Sequence, residues 1–580
     1  MADPFNAPKM YLLILFSAWL IGYMVFVPKQ VSPNVKILNF IIITFTLILL
    51  TTALLTDVKV TAFLGDTQRQ LGAVTYLCFA VYMLFAANFF KFDYAKMFSL
   101  VVAFLSTIYI IYGLMQYSGN DFVVWINQYN PIIGTLGNPN YAGAYMAILG
   151  TLCCSFIFLQ SLRGSIRIAF AILFLGLVVN ILLSNARQGI VSLAAGLTIF
   201  LNLMILKRSK ILGLVSSMLA LGFTSVVVLG MLQVGPLEKY LYKDSVTLRG
   251  YYWNAGINML RENLFSGVGI DRYGANFKLY RDPSFSLRQG YELNSTNAHN
   301  VFIQYFATGG LFLGIIYLVL ISYVFITALK GFRILKGNQK TFLFGIFSAW
   351  IAYIAQSIVS IDNIGLTIWG WIIGGTIIGM VSNDLKITAS TNTPGKMSVV
   401  NKQTLQVKRV LTSGVLTIFS LVFVLNLSKS EFRIVDVRNM INSQTQVGAV
   451  SFGELAKTIV TDPLAQPAYK LEVSDYLIRA GLREQGIDAL QKLTKSDLRH
   501  PNNYLALAMT YESAGDFKEA IKQREYLLKI DPYNAKNFLQ LARLYKEIGS
   551  IDKALNMKER IIKFAPNSEQ AKTAQLEITF

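Results

Sequence analysis

Three polar residues stand where an apolar setting does not explain them: Arg187 in LLSNARQGIV, Arg249 in SVTLRGYYW and His299 in NSTNAHNVF. Arg187 falls between two apolar runs whose connection is too short to be a solvated loop. Its guanidinium must therefore lie at or just below a membrane surface, where arginine is paired, snorkelled to lipid phosphate or functional. A planar five-donor fork also matches the oxygens of a substrate phosphate. Arg249 adjoins the expected start of an amphipathic helix over 251–264, where free backbone N–H groups would reinforce anion binding. His299 is the sole histidine before residue 430. It can cap or pack, and its neutral imidazole can also accept a proton near neutral pH. No second histidine or cysteine accompanies it outside the apolar runs, so no zinc site and no cofactor are expected. Two cations and one base suit chemistry on a diphosphate. The arginines would hold the leaving group while the histidine deprotonates an incoming hydroxyl.

Weaker candidates surround these three. Asn138 and Asn140 in GTLGNPNYAGAY form a sharp turn ahead of an apolar run, a capped helix start or a re-entrant feature. Arg261, Arg272 and Arg288 share the long loop with Arg249 and are further candidates for substrate contact, although most arginines there are expected to be structural or surface residues.

The elements that must position these groups are apolar. Of the 580 residues, 54% are hydrophobic and 14% charged, and twelve apolar runs fall between residues 10 and 427. Each is about 17–22 residues long, enough to cross a bilayer core of roughly 30 Å. An all-α polytopic membrane domain over 1–428 is predicted, followed by a linker over 429–469 and a helical repeat domain over 470–580. The net charge of +20 sits almost wholly in the first part, where residues 1–430 hold 31 Lys/Arg against 13 Asp/Glu. Basic turns at Arg163–Arg167, Lys207–Lys210, Lys330–Lys340 and Lys386–Arg409 are the ordinary mark of cytoplasmic retention, so nucleic acid is not an expected partner. They place 118–140, 233–299, 359–364 and everything after 428 outside, with an N-terminus that is also external.

The C-terminal part repeats with a period of 34 residues: Tyr511 and Tyr545, Gly515 and Gly549, Ala520 and Ala554, Pro532 and Pro566. The units at 501–532 and 533–566 each read as two antiparallel helices around a glycine turn and resemble the tetratricopeptide repeat. A degenerate third pair over 470–500 would cap them. Such a domain serves as a prop for the membrane part or as a docking surface for a protein partner.

GTLGNPNYAGAY, SNARQG, RGYYWNAGINMLRENLFSGVGIDRYG and AHNVFIQYFATGG, in that order across about residues 130–380, resemble the O-antigen ligase and polymerase superfamily with the Wzy_C domain, in its ligase and general O-oligosaccharyltransferase branch. The resemblance implies a metal-independent, GT-C-like glycosyltransferase of a bacterial cytoplasmic (inner) membrane. It would move a glycan from an undecaprenyl-diphosphate-linked donor to a hydroxyl on a lipid or protein acceptor, with catalytic roles for Arg187, Arg249 and His299. A surface-polysaccharide polymerase is the alternative, and a transporter or scaffold a more distant one. A reporter fused after Thr510 is expected to show the export-side phenotype; cytoplasmic labelling of that fusion would reverse the last part of this topology.

Overall fold

An apolar run that cannot hydrate its backbone closes each N–H···O=C bond within itself, and the helix is the element that does so. The computed structural model describes residues 3–26, 32–123, 132–231, 234, 244–389, 399–442 and 449–579, and among these no strand occurs. In chain order the first helices are α1 (Ala7–Met24), α2 (Pro33–Leu55), α3 (Lys59–Leu64), α4 (Ala73–Phe89), α5 (Ala95–Tyr117), α6 (Pro139–Ile157), α7 (Gly164–Leu183) and α8 (Arg187–Arg208). Then follow α9 (Lys210–Met231), α10 (Asp244–Glu262), α11 (Tyr273–Tyr280), α12 (Pro283–Gln289), α13 (Val301–Ile334), α14 (Gly337–Val359), α15 (Ile364–Ala389) and α16 (Val399–Asn442). Among the described residues, 10 helices are long and apolar enough to cross a membrane. The shorter α4 and the 210–226 part of α9 are apolar as well, so every one of the twelve apolar runs is helical. Residues 235–243 of the long loop, and the basic turn around Lys396, lie outside the described residues.

Enclosure sorts the helices. The apolar window of α6 is 83% buried, against 22% for α7, which puts α6 at the bundle centre against α7, α8 and α14. The outer helices turn Phe104, Ile172, Leu175 and Phe419 outward, apolar surface that only lipid accommodates over such an area. Glycines set the closest approach. A Cβ on Gly143 of α6 would sit 2.9 Å from Ala186 Cβ, and one on Gly189 of α8 would sit 2.8 Å from Gly143 Cα. The start of α8 is therefore locked beside the start of α6.

One spanning helix is broken. Gly310, inside α13, has φ 74°, left-handed backbone that favours glycine. The segment after α10 fills the break. Val268 N–H donates to Ala307 O (2.9 Å), Gly269 N–H to Thr308 O (3.0 Å), and Leu311 N–H to Leu264 O (2.8 Å). Irregular backbone near a membrane survives only when protein satisfies it in this way. The same bonds fix α10 against the helix that begins at Val301, just after His299.

Segments distant in sequence meet at one end of the bundle. Asn6 Nδ2 donates to Gln68 O (2.7 Å) and Asn363 Nδ2 to Asn6 Oδ1 (3.3 Å). Tyr469 Oη donates to Glu431 Oε1 (2.8 Å), and the Asp3 backbone N–H reaches the same carboxylate (3.5 Å).

The segment 429–469, expected as a linker, is largely helical, because α16 runs on to Asn442 and α17 (Ala449–Val460) follows. The repeat pairs are α18 (Pro467–Arg479) with α19 (Arg483–Ser496), α20 (Pro501–Ser513) with α21 (Phe517–Ile530), and α22 (Ala535–Glu547) with α23 (Ile551–Phe564), closed by α24 (Glu569–Glu577). Gly515 and Gly549 hold the predicted turns at φ 77° and 74°, and Ala520 and Ala554 are fully buried where paired helices touch.

The repeats are pinned to the long loop by charge. Arg272 makes a two-pronged contact with Asp497, one arm at 2.9 Å. Arg281 binds Asp531 at 2.6 Å with Lys278 at 3.6 Å from the same carboxylate. Asp497 and Asp531 occupy the same position in successive repeats, 34 residues apart, so one short basic segment around α11 engages two equivalent repeat ends. Removing one partner of a buried pair strands the other charge and costs about 3–5 kcal/mol. Asp531→Asn is expected to lower the unfolding temperature and to free the C-terminal domain for limited proteolysis. Asp488→Asn, in an exposed pair with Lys492, should change neither, since such pairs are worth about 0–1 kcal/mol.

Candidate functional site

The meeting of segments at this end of the bundle encloses a cavity of about 630 Å³. Asn6, Arg69, Asn138, His299, Asp362 and Glu472 line it from six separate stretches of chain.

His299 is held by its own turn. Its backbone lies at φ 49°, a left-handed conformation that costs of order 1–3 kcal/mol for a non-glycine residue and recurs at functional sites. Neighbouring side chains enforce it. His299 N–H donates to Asn297 Oδ1 (2.8 Å), Ala298 N–H to Gln304 Oε1 (2.9 Å), and Ile303 N–H to the capping Asn300 Oδ1 (3.0 Å). The imidazole stacks on Tyr252 with centroids 5.2 Å apart and planes at 27°. Tyr252 follows Arg249 by one helical turn on α10, so the stack brings Arg249 to the histidine. Burial, then the positive charges of Arg249 and Arg69, push the His299 imidazolium down to about pKa 4. Burial also lowers the Arg249 pKa, with Tyr252 opposing it.

Arg249 itself departs from expectation. The helix begins at Asp244, so Arg249 lies in its second turn, away from the free N–H groups of a helix start. Residues 244–249 contain no breaker, and Asp-Ser at 244–245 is ordinary helix-opening chemistry. Arg187 is the first residue of α8 and is exposed, following a turn in which Asn185 takes φ 51°. The Gly143–Gly189 crossing sets that turn against the first turns of α6, but Arg187 does not line the cavity. Asn138 caps α6 by accepting from Asn140 N–H (2.8 Å) and also lines the cavity; Asn140 does not. Arg272 is engaged by Asp497, while Arg261 and Arg288 point to solvent. The structure thus places His299 and Asn138 in the cavity and Arg249 next to His299 behind the Tyr252 stack, and leaves Arg187, Asn140, Arg261, Arg272 and Arg288 outside the cavity lining.

Arg69 and Asp362 are among the cavity groups that escaped sequence reasoning. Arg69, between α3 and α4, is buried with one arm on Asp271 at 2.7 Å. Its Nε is buried without an acceptor among the described residues. It carries the same signal as Arg187, an arginine between two apolar runs. Asp362, between α14 and α15, accepts from Thr367 (2.9 Å), Tyr76 (3.3 Å) and Tyr353 (3.4 Å). Burial pushes its carboxyl up to about 6, against the lowering effect of those hydroxyls. Nothing in its local sequence sets it apart.

A neutral imidazole is the form that accepts a proton, and here it persists far below the ordinary histidine range. Because the folded pKa is depressed, the stability that His299 contributes is fully present above about pH 6.5 and is lost as pH falls toward about 4. Histidine-selective NMR, with the signal assigned by its loss in His299→Gln, is expected to show this imidazole neutral down to at least pH 5. A midpoint near 6.5 would remove the positive surroundings derived above.

Residues 171–318 match the O-Antigen ligase family model (Wzy_C), and residues 511–578 match a tetratricopeptide-repeat model. No curated protein matches the chain. The first match contains Arg187, Arg249 and His299 and excludes Arg69 and Asp362. The chain thus carries a Wzy_C domain and C-terminal tetratricopeptide repeats, a combination consistent with the broad O-antigen ligase superfamily.

Proposed function

We propose that the protein transfers a glycan from an undecaprenyl-diphosphate-linked donor to an acceptor hydroxyl, on the extracytoplasmic face of the cytoplasmic membrane. The observation that carries this reading is that His299 lines a polar cavity at one end of an apolar bundle and stacks on Tyr252, which brings Arg249 beside it. The donor's lipid tail stays in the bilayer, which brings its diphosphate to the arginines at the surface. Arg249 receives the diphosphate beside His299, at the edge of the cavity, and Arg187 meets it from the exposed start of α8. His299 takes the proton of the acceptor hydroxyl as that oxygen bonds to the sugar C1. The C1–O bond to the diphosphate breaks, and the diphosphate leaves with the electron pair. One displacement of this kind inverts the anomeric configuration.

The depressed imidazole basicity fits this sequence of events. In the empty site Arg249 and Arg69 disfavour a second positive charge. A bound diphosphate neutralises them, so the base gains proton affinity when the donor arrives. Water in an empty cavity is then deprotonated poorly, which limits wasteful hydrolysis.

Lysine at 187 or 249 keeps the charge and loses the bidentate fork. Arg187→Lys and Arg249→Lys are expected to insert normally and to lose most transfer in proteoliposomes. His299→Gln should lose about 10²–10⁴-fold in kcat at saturating donor, the usual worth of a general base. In wild type the acid limb of kcat should lie above that of kcat/KM, because the former reports the donor-bound site. Wild-type turnover in both lysine variants would reject the diphosphate assignment. His299→Gln activity within a few-fold of wild type at every pH would reject the base.

A further inference from the structure

A second, smaller cavity lies where the end of α2, the turn after α10 and the repeats come together. It holds about 190 Å³, and Thr56, Asp57, Asn263, Ser266, Asn276 and Arg499 are in its lining. That is below the about 300–1,000 Å³ of ordinary ligand pockets, so it takes a small group. Most hydrogen-bond donors here are already committed. The Thr56 hydroxyl donates to Thr52 O (2.8 Å) and the Ser266 hydroxyl to Gly267 O (3.1 Å). Asn263 Nδ2 donates to Met259 O and Tyr280 Oη (3.0 Å each), and Asn276 Nδ2 to Arg272 O (2.9 Å). Neither asparagine Oδ1 accepts a hydrogen bond among the described residues, and neither is sealed from solvent. What the lining leaves open is mostly acceptor.

Two charges of opposite sign complete the lining. Lys59 is spent on the Leu54 and Thr56 carbonyls, and Asp57 is exposed with no ion pair among the described residues. Arg499, between α19 and α20, is exposed and equally without one. A bare metal ion at this place would meet the guanidinium, and a bare phosphate would meet the carboxylate. A ligand that carries both signs on a short arm satisfies the two together. The rim beside the cavity is apolar. Leu54 and Leu55 end α2 with their side chains exposed, and exposed Phe265 stacks on exposed Phe312 with ring centroids 5.8 Å apart. A small polar seat above an outward apolar rim is the pattern of a bilayer boundary, with acyl chains on one side and headgroups on the other.

We propose that this cavity seats the headgroup of a phospholipid that bears a primary ammonium. The ammonium meets Asp57, Asn263 and Asn276, the phosphate meets Arg499, and the acyl chains lie along Leu54, Leu55, Phe265 and Phe312. An ammonium brings three donors to a lining that lacks them, and a guanidinium is the natural partner of a phosphate. A choline headgroup has no N–H to give, and a glycerol headgroup has no cation for Asp57. Because Asp57 belongs to the bundle, Asn263 to the long loop and Arg499 to the repeats, one lipid molecule ties all three together. This site is separate from the His299 cavity and stands whether or not the transfer reading does.

The test uses the full chain in detergent, stripped of lipid, and native mass spectrometry at substoichiometric lipid. The probes are dioleoyl phosphatidylethanolamine, phosphatidylcholine and phosphatidylglycerol, with phosphorylethanolamine as the soluble counterpart. The ethanolamine lipid is expected to bind about ten-fold more tightly than the other two, the worth of one charge-assisted hydrogen bond. Asp57→Asn should erase that preference, and Arg499→Gln should weaken the ethanolamine lipid about ten-fold. Lys492→Gln, at an exposed repeat position, should bind as wild type does. Both test positions are exposed, and an unchanged unfolding temperature without lipid shows that the variants are folded. Added ethanolamine lipid should then raise the unfolding temperature of wild type more than that of either variant. The proposal is overturned if wild type shows no preference for the ethanolamine lipid, if the preference survives in Asp57→Asn, or if Arg499→Gln binds as wild type does. Phosphorylethanolamine binding as tightly as the lipid would also overturn it, since the ligand would then be a soluble aminoalkyl phosphate. Loss of transfer in Arg187, Arg249 or His299 variants has no bearing on these outcomes.

Discussion

Charge that leaves water must find its opposite, and here the opposites come from remote parts of the chain. Arg272 and Arg281 of the long loop meet Asp497 and Asp531 of the repeats, and Arg69 between two apolar helices meets Asp271 of the long loop. These pairs tie the repeats to the loop and the loop to the bundle. The cavity exists because the ties hold its walls at fixed separation. A chain whose repeats hung from a flexible tether would leave His299 facing open solvent, where its imidazole would titrate near the ordinary histidine value.

The broken helix α13 adds the second fixed point. Had Val301–Ile334 continued unbroken past Gly310, the carbonyls of Ala307 and Thr308 would have been taken within the helix. Instead they accept from Val268 and Gly269. That exchange sets α10 against the turn that carries His299, so the Tyr252 stack and the reach of Arg249 follow from backbone bonding. Positioning by backbone is less easily disturbed than positioning by a single side-chain contact, which suits a site that has to receive a large and flexible substrate.

The site's electrostatics are asymmetric. His299 has cations for neighbours, whereas Asp362 lies among hydroxyls with its carboxyl pushed up to about 6. Burial drives both groups toward their neutral forms; the neighbouring cations add to it at His299, while the hydroxyls oppose it at Asp362. The cavity therefore holds its base uncharged, with the positive charges of Arg249 and Arg69 acting on it.

Much of this was legible in the residues. Twelve apolar runs of about 20 residues read as helices, because a spanning strand needs only about 10 residues and a helix alone satisfies its backbone within one segment. The 34-residue period predicted both repeat turns, since the left-handed backbone at Gly515 and Gly549 calls for glycine. Arg187, Arg249 and His299 were visible because polar residues beside apolar runs are expensive. Tertiary structure alone decided which of those polar residues meet. Arg272 has the same local character as Arg249, yet its partner lies 225 residues away in the repeats. Asp362 and Glu472 look ordinary in sequence, and only the return of the chain to one end of the bundle brings them to His299. Local pattern records the solvent that each residue expects. The partner is set by helix crossings such as Gly143 on Gly189, and those are properties of packing between segments that no single stretch of sequence contains.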